Sequence, residues 1–224
     1  PWLPERGDVE NAAVEDRREL FAEWLTQPDN PFFAKIEAGD LVVDVKAVVS
    51  SRGDVRGVEV ARAHGVPCAV FRRKDYDSVA AHNAALNAWL EGFAPDMIVL
   101  AGYLCFYIPP EGFGGPVVNI HPALLPAYPG LDTHQRVLDA GERWHGSTVH
   151  FVTEELDGGP RILQGRLAVD PGETADALCA RVQALEHQIY PQAANWFGQG
   201  RLESRDGAAW LDGRRLDEPV VQDF

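Results

Sequence analysis

Short apolar segments alternate with longer amphipathic ones along most of the chain. Residues 45–49 and 68–71 have the length and the Val-rich or Phe-containing composition of strands. The run 96–102 is continuously apolar, which predicts a strand buried on both faces of a sheet. Between these runs, residues 55–64 and 77–93 place apolar side chains at helical spacing. This alternation predicts an α/β fold with a three-layer, doubly wound and mostly parallel sheet.

The second half of the chain continues the alternation. Residues 145–151 and 162–169 have the period-two pattern of strands. Helices are predicted at residues 131–138 and from Thr174 onward, where apolar side chains recur at helical spacing. The stretch from residue 200 to residue 214 predicts a terminal hairpin.

Residues 1–40 are the least regular part of the chain. Residues 14–25 have helical spacing, but the polar and proline-containing segments around them follow no period. From residue 41 onward the pattern is regular, and the length suits a single hydrophobic core. We therefore expect an atypical N-terminal arm with helices at 1–40 and one catalytic domain at 41–224.

Composition narrows the class of protein. The 224 residues are 46% hydrophobic and 24% charged, as in globular domains. A formal net charge of -14 argues against nucleic acid as a partner, because a polyanion requires a basic surface. No apolar run approaches the ~20 residues that cross a bilayer, so we expect no membrane partner and a cytoplasmic location. Patterns such as Cys-x-x-Cys and His-Glu-x-x-His do not occur, and we expect no metal.

Candidate chemistry concentrates after the short apolar strand at residues 117–121. Period-two alternation places Asn119 and His121 on one face, and Pro122 ends the ladder because it has no N–H to donate. A later acidic turn with two glycines places Asp157 where it can reach an imidazole across the sheet. An amide donor, an imidazole and a carboxylate suit acyl transfer through an oxyanion. Polar groups that merely satisfy each other at a strand end are the structural alternative.

Three motifs in this order resemble the folate-dependent formyltransferases. They are residues 119–126, 145–151 and 156–160, with the sequences NIHPALLP, HGSTVHF and LDGGP. Within that family the chain most resembles members that formylate glycinamide ribonucleotide in de novo purine synthesis. The resemblance implies a Rossmann-like formyltransferase fold and 10-formyltetrahydrofolate as the co-substrate. It also implies a phosphoribosyl amine as acceptor, small molecules as the partners, and a monomer or homodimer.

The resemblance also assigns roles to individual residues. It makes Asn119, His121 and Asp157 catalytic. Glu186 and Pro122 would contact the acceptor, although a carboxylate at the edge of an apolar helical face is most often solvent-facing. The residues expected to have structural roles are Pro126, after a cis peptide bond, and His134. The residues expected to bind folate are Leu104, Cys105, Phe106, Tyr107, Val152, Thr153, Glu154 and Glu155.

One part of the family pattern is absent. Family members begin with an apolar strand and a glycine-rich turn whose backbone N–H groups hold the phosphate of the substrate. The stretch in its place, residues 26–31, contains two prolines and Asp29. We therefore expect an N-terminal region that lacks the Gly-rich phosphate loop. Two alternatives follow: a related folate-dependent formyl enzyme with another acceptor, and a non-catalytic folate-binding homologue.

Overall fold

The computed structural model describes residues 35–36, 38–103 and 105–224, apart from the side chain of Arg56. The helix predicted at residues 14–25, the stretch 26–31 and Leu104 therefore lie outside the described residues. The chain divides into two compact units. The first contains Lys46–Phe93 and Ala101–Pro110, and the second contains Ala94–Leu100 and Glu111–Phe224 together with the described residues before Lys46. The expected boundary at residue 40 stays a prediction.

Within the residues that the structure describes, the first unit combines two strands with three helical segments. They are β1 (Val48–Ser50), α1 (Arg56–Ala63), β2 (Cys68–Val70), a 3-10 helix (Arg73–Asp75) and α2 (Val79–Glu91). β1 and β2 pair in parallel, as strands joined through a helix do. The hydroxyl of Ser78 accepts a hydrogen bond from the Ala81 N–H at 3.0 Å and caps the start of α2.

The second unit contains a five-stranded sheet and a three-stranded one. Its elements are β3 (Ile98–Leu100), β4 (Val117–His121), α3 (Thr133–Asp139), β5 (Trp144–Phe151), β6 (Arg161–Ala168), α4 (Ala175–Gly198), β7 (Leu202–Arg205), β8 (Ala208–Leu211), β9 (Arg214–Arg215) and β10 (Val220–Asp223). The larger sheet has the order β10-β6-β5-β4-β3, and β7, β8 and β9 form the smaller one. The predicted terminal hairpin is therefore confirmed by β7 and β8.

The larger sheet is mixed around β5. β3 is parallel to β4 and β10 is parallel to β6, whereas β5 runs antiparallel to both β4 and β6. The predicted α/β class is thus confirmed. Every residue of β5 from His145 to Phe151 is buried, so this strand packs on both faces and brings side chains to the end of β4.

The long helix α4 packs on β5 and β6, and it contacts β3 and β4 through Tyr190. Thr174 accepts from the Ala177 N–H at 3.2 Å and caps the helix where the sequence predicts its start. Tyr190 is 1% exposed. Its hydroxyl lies 2.7 Å from the Leu100 carbonyl oxygen and 3.0 Å from that of Val118. α4 therefore links β3 to β4, the strand that ends at the candidate site.

Two features of the second unit differ from expectation. Val99 is 38% exposed, so the prediction that its strand is buried on both faces is wrong. Val99 is exposed because β3 is the edge strand of the five-stranded sheet. Strand β10 was not predicted, and the pair between Arg166 and Asp223 at 2.7 Å joins it to β6. Among the described helices, none has both the length and the apolar character that a membrane span requires.

Candidate active site

β4 ends at His121, immediately before Pro122, as the missing N–H of proline requires. The following turn is closed by two backbone hydrogen bonds. Ala123 N donates to His121 O at 2.8 Å, and Leu125 N donates to Ala123 O at 3.1 Å. The Leu125–Pro126 bond is cis, which confirms that prediction. The tight turn leaves the His121 side chain at the very end of the strand.

Both ring nitrogens of His121 have a partner. Nε2 lies 2.9 Å from the carbonyl oxygen of Tyr128, and Nδ1 lies 3.3 Å from Oδ2 of Asp157. A carbonyl oxygen only accepts, so Nε2 carries a hydrogen. The contact with Asp157 is a hydrogen bond only when a proton also lies between Nδ1 and the carboxylate. The two side chains therefore form a unit that can hold and release one proton.

Asp157 is positioned by the backbone around it. Its side chain is 8% exposed, and Oδ2 also accepts from the Gly130 N–H at 2.9 Å. The residue has φ 53, a left-handed conformation that Asp tolerates better than most residues. A Cβ atom on Gly159, two residues later, would collide with the Phe151 carbonyl. The glycine-containing turn thus determines where the carboxylate points.

His150 is a fourth member of the cluster, and the sequence pattern did not reveal it. It stands opposite Asn119 in the register of β4 and β5. Its Nε2 lies 3.3 Å from Asn119 Nδ2 and 3.8 Å from Asp157 Oδ1, and its Nδ1 donates to the Phe151 carbonyl at 2.9 Å. Burial lowers the pKa of His150, although Phe151 and Asp157 act in the opposite direction. The neutral ring therefore accepts from the amide of Asn119 and orients it.

The four side chains together supply what acyl transfer requires. Contacts run in one series from Asn119 through His150 and Asp157 to His121. An amide can donate to a developing oxyanion, an imidazole carries positive charge when it is protonated, and a carboxylate can accept a proton. The catalytic roles of Asn119, His121 and Asp157 stay predictions. Across residues 38–103 and 105–224 no cluster of three or more His, Cys, Asp or Glu side chains is placed to hold a metal.

Comparison with known proteins identifies the family. The family model described as Formyl transferase matches residues 30–194, well over half of the chain. The chain belongs to the formyl transferase family. The phosphoribosylglycinamide formyltransferase of Escherichia coli (strain K12) is 45% identical over 174 residues, which cover 77% of this chain and 82% of that protein. The enzyme of the same name from Haemophilus influenzae is 41% identical over 181 residues, covering 80% and 85%.

A solved structure of this family shows the same fold. The phosphoribosylglycinamide formyltransferase from Coxiella burnetii, in complex with CHES, superposes with a TM-score of 0.77 at 37% identity. The match covers 86% of this chain and 92% of that chain. The Rossmann-like formyltransferase fold that the motifs implied is thus confirmed.

His134 pairs with His145 in this formyl transferase. Nδ1 of His134, in the first turn of α3, lies 2.9 Å from Nε2 of His145 in β5, with the rings edge to face. Burial lowers the pKa of His134 to about 4. Burial also lowers the pKa of His145 to about 3. The contact joins helix to sheet, as a structural residue would, and the role of His134 stays a prediction.

Glu186, predicted to contact the acceptor, does not face solvent. It is 4% exposed, and its Oε1 lies 2.7 Å from the hydroxyl oxygen of Ser147 in β5. Burial raises the pKa of Glu186 to about 7, although the hydrogen bond with Ser147 lowers it. Pro122, the other predicted contact of the acceptor, is half-buried next to His121. Both contacts with substrate stay predictions.

The residues predicted to bind folate fall in both units. In the second unit Val152 is half-buried, and its N–H donates to the Val117 carbonyl at 2.8 Å. Beyond it, Thr153, Glu154 and Glu155 form the exposed loop that leads to Asp157. In the first unit Phe106 is exposed, Cys105 is half-buried and Tyr107 is buried. Leu104 lies outside the described residues.

Two buried asparagines of α2 hold the segment that contains Phe106 and Tyr107. Asn83 donates to the Phe106 carbonyl at 2.9 Å and accepts from the Ile108 N–H at 3.0 Å. Asn87, one turn later, donates to the Ile108 carbonyl at 2.8 Å and accepts from the Tyr107 hydroxyl at 2.8 Å. The amides thus take the place of a neighbouring strand for this segment. Sequence reasoning missed them because they lie within an ordinary helix.

Proposed function

We propose that this formyl transferase moves the formyl group of 10-formyltetrahydrofolate to the amine of glycinamide ribonucleotide, a step of de novo purine synthesis. The relatives that share 45% and 41% of its aligned residues are named phosphoribosylglycinamide formyltransferases. The observation that carries the proposal is the contact of 3.3 Å between His121 Nδ1 and Asp157 Oδ2. Asp157 Oδ1 also lies 3.8 Å from the ring of His150, which contacts the amide of Asn119.

The reaction exchanges one carbon–nitrogen bond for another. The amine nitrogen attacks the formyl carbon, and the carbonyl electron pair moves to oxygen. The bond from carbon to the folate nitrogen then breaks, and the carbonyl forms again. The amine loses one proton and the folate nitrogen gains one, so atoms and charges balance. The step requires stabilisation of the oxyanion and a carrier for the proton.

The four clustered side chains divide these tasks. Asn119 uses one amide hydrogen on His150, which leaves the second for the formyl oxygen. His121 adds positive charge when it holds the proton that it shares with Asp157. Asp157 takes up the proton of the amine, directly or through a water molecule. Loss of one donor to an oxyanion typically lowers turnover by ~10²–10³.

The other parts of the proposal come from the sequence. Val152, Thr153, Glu154 and Glu155 would bind folate, and their loop ends beside Asp157, so a bound folate would lie next to the reacting groups. Pro122 and Glu186 would contact the acceptor. We also propose a cytoplasmic location, small molecules as the partners, and a monomer or homodimer.

Replacement of Asp157 by Asn tests the chemistry without a change of backbone, since Asn also tolerates a left-handed conformation. Turnover of glycinamide ribonucleotide is expected to fall by at least about 10²-fold, as for other acid–base groups. Asp223→Asn is the matched control, because it alters a carboxylate that pairs with Arg166 on an exposed strand. The control is expected to keep parental turnover. An Asp157→Asn variant with full activity would contradict the proposed proton transfer.

The acceptor is tested in a separate assay with three arms. Glycinamide ribonucleotide, its analogue without phosphate, and water alone are each supplied with 10-formyltetrahydrofolate. We expect kcat/KM to be at least about tenfold higher for glycinamide ribonucleotide than for the analogue without phosphate. This ratio corresponds to a contribution of about 1.4 kcal/mol from the phosphate. Equal use of both amines would point to another acceptor, and release of formate without an amine would point to hydrolysis. Binding of the folate without turnover would indicate a non-catalytic protein.

A further inference from the structure

The peptide group of Leu125 is bound by side chains of two neighbouring strands. Its carbonyl oxygen accepts from Gln164 Nε2 at 2.7 Å and from Arg161 Nη1 at 2.8 Å, and both donors belong to β6. Its N–H donates to the hydroxyl of Thr148 in β5 at 3.0 Å. Leu125 is 2% exposed. These side chains therefore satisfy a peptide group that is removed from solvent.

Proton counting determines the orientation of the Gln164 carboxamide. A carbonyl oxygen has no hydrogen, so the nitrogen of the carboxamide must face Leu125. The second hydrogen of Nε2 goes to the hydroxyl oxygen of Thr148 at 2.9 Å. That hydroxyl donates its own hydrogen to the Ala123 carbonyl at 2.6 Å. Both hydrogens of Gln164 Nε2 are thus in use, and a side chain of similar size without them can make neither contact.

The backbone that follows Leu125 contacts both members of the proposed catalytic pair. Three residues later, the carbonyl oxygen of Tyr128 accepts from Nε2 of His121 at 2.9 Å. Two residues beyond that, the N–H of Gly130 donates to Oδ2 of Asp157 at 2.9 Å. This short segment therefore starts at a peptide group that β5 and β6 hold, and it supplies one backbone contact to the imidazole and one to the carboxylate.

The two donors to the Leu125 carbonyl differ in how firmly they are held. Gln164 is 8% exposed and stands opposite Thr148 in the register of β5 and β6. Arg161 has a 26% exposed side chain, and its Nη2 pairs at 3.0 Å with Glu218, whose side chain is 79% exposed. An ion pair with so much exposure contributes little. The carboxamide is therefore the main support of the peptide group, and the guanidinium is the weaker one.

We propose that Gln164 is a positioning residue for the imidazole of His121 and the carboxylate of Asp157. It acts through the Leu125 peptide group, and Arg161 supports it as the second donor to the same carbonyl. This inference deepens the proposed function. It rests on that function only for the turnover assay, because the hydrogen bond of the His121 ring is also measured without substrate.

Proton NMR of the histidine ring tests the positioning in the absence of substrate. The hydrogen on Nε2 of His121 lies in a hydrogen bond to a carbonyl, and the residue is 5% exposed. It should give a ring N–H resonance that exchanges slowly with water and that is lost in His121→Asn. In Gln164→Met, which has a similar shape but no N–H, the exchange should be at least about tenfold faster. Unchanged exchange in Gln164→Met would overturn the proposal.

Turnover of the same variant tests the consequence for the reaction. The kcat of Gln164→Met is expected to fall at least about tenfold, which corresponds to about 1.4 kcal/mol in the activation barrier. The KM values for both substrates should stay within about threefold, because the proposed pair acts in the transition state. Gln199→Met is the matched control, since Gln199 is exposed after α4 and accepts from Arg201 at 3.4 Å. The control should keep the parental kcat and the parental resonance.

Variants of Arg161 decide the matter if Gln164→Met does not fold. Arg161→Met removes the second donor to Leu125, so its kcat should fall about threefold and the His121 resonance should exchange faster than in the parent. Glu218→Gln weakens only the exposed ion pair and should leave both measurements at parental values. Equal effects of the two variants would assign the role to the ion pair and contradict the proposal, as would no effect of Arg161→Met.

The outcomes separate positioning from other roles of Gln164. If kcat of Gln164→Met falls while the His121 resonance exchanges as in the parent, the loss has another cause and the proposal fails. A rise in either KM with unchanged kcat would place Gln164 in substrate binding and would also overturn it. A parent protein that does not turn over glycinamide ribonucleotide would refute the proposed function, while the resonance would still decide whether Gln164 positions the imidazole.

Discussion

Acidification is expected to destabilise the fold through His134 and His145. Their ring nitrogens are 2.9 Å apart, and the hydrogen bond between them needs a hydrogen on one nitrogen and a lone pair on the other. Burial lowers the pKa of His134 to about 4, with a further contribution from His121. Burial lowers the pKa of His145 to about 3, and the two other histidines add to the effect. At neutral pH the folded protein therefore holds this pair uncharged.

The sign and size of the effect follow from these values. The unfolded-state pKa is near 6.5, so below that pH the unfolded chain binds protons that the folded protein does not. Stability from the neutral pair is fully present above about pH 6.5 and is lost as the pH falls toward the folded-state pKa. For His134, with a pKa of about 4, the loss is roughly 2 kcal/mol by about pH 5 and on the order of 3 kcal/mol at lower pH. The two rings interact, so their contributions do not simply add.

Urea unfolding at about pH 7.5 and about pH 5 measures this loss. His134→Asn removes one titrating ring and keeps a polar group in the first turn of α3. From about pH 7.5 to about pH 5, its free energy of unfolding should therefore decrease by roughly 2 kcal/mol less than that of the parent. His64→Asn replaces an exposed histidine of the first unit and serves as the control. The control should lose as much stability as the parent. Equal losses in the parent and in His134→Asn would refute the reasoning.

Three further predictions concern other parts of the structure. Tyr190→Phe removes the hydroxyl shared by the Leu100 and Val118 carbonyls, and its free energy of unfolding should fall by about 1–3 kcal/mol in urea titrations. Gly146→Ala should prevent folding or lower the melting temperature more than Gly165→Ala does. A Cβ atom on Gly146 would collide with backbone atoms, whereas one on Gly165 would collide with a side chain. The reverse order of melting temperatures would contradict the packing described. Asn83→Ala should speed hydrogen exchange of the Ile108 N–H, because Asn83 accepts from that group. It should also raise the KM for folate more than it lowers kcat. Unchanged exchange would show that Asn83 does not hold the segment that contains Phe106 and Tyr107.

The parts of the fold that sequence predicted well are those with local causes. Ser78 and Thr174 begin helices because their hydroxyls satisfy N–H groups in the next turn. Pro122 stops β4 because it lacks an N–H, and this alone places His121 at a strand end. The turn that holds Asp157 was recognisable from its two glycines. Each of these effects depends on residues within a few positions of each other.

The parts that were missed depend on contacts between distant segments. His150 enters the cluster only because β5 pairs with β4 in one register, opposite Asn119. The burial of Glu186 depends on Ser147, which is 39 residues away in the chain. Val99 looked like a residue of a central strand, but exposure is decided by the neighbours of a strand and not by its own composition. Local patterns carry no information about any of these pairings.

The left-handed backbone at Asp157, with φ 53, limits how this enzyme can diverge. Most L-residues in that conformation cost on the order of 1 kcal/mol, and β-branched ones cost more. A library of variants at this position would therefore consist mainly of chains with a displaced loop, with Asn and Gly as the exceptions. At His150, by contrast, the backbone is not left-handed, so a replacement there is limited by the buried space around a side chain that is 2% exposed and not by backbone strain.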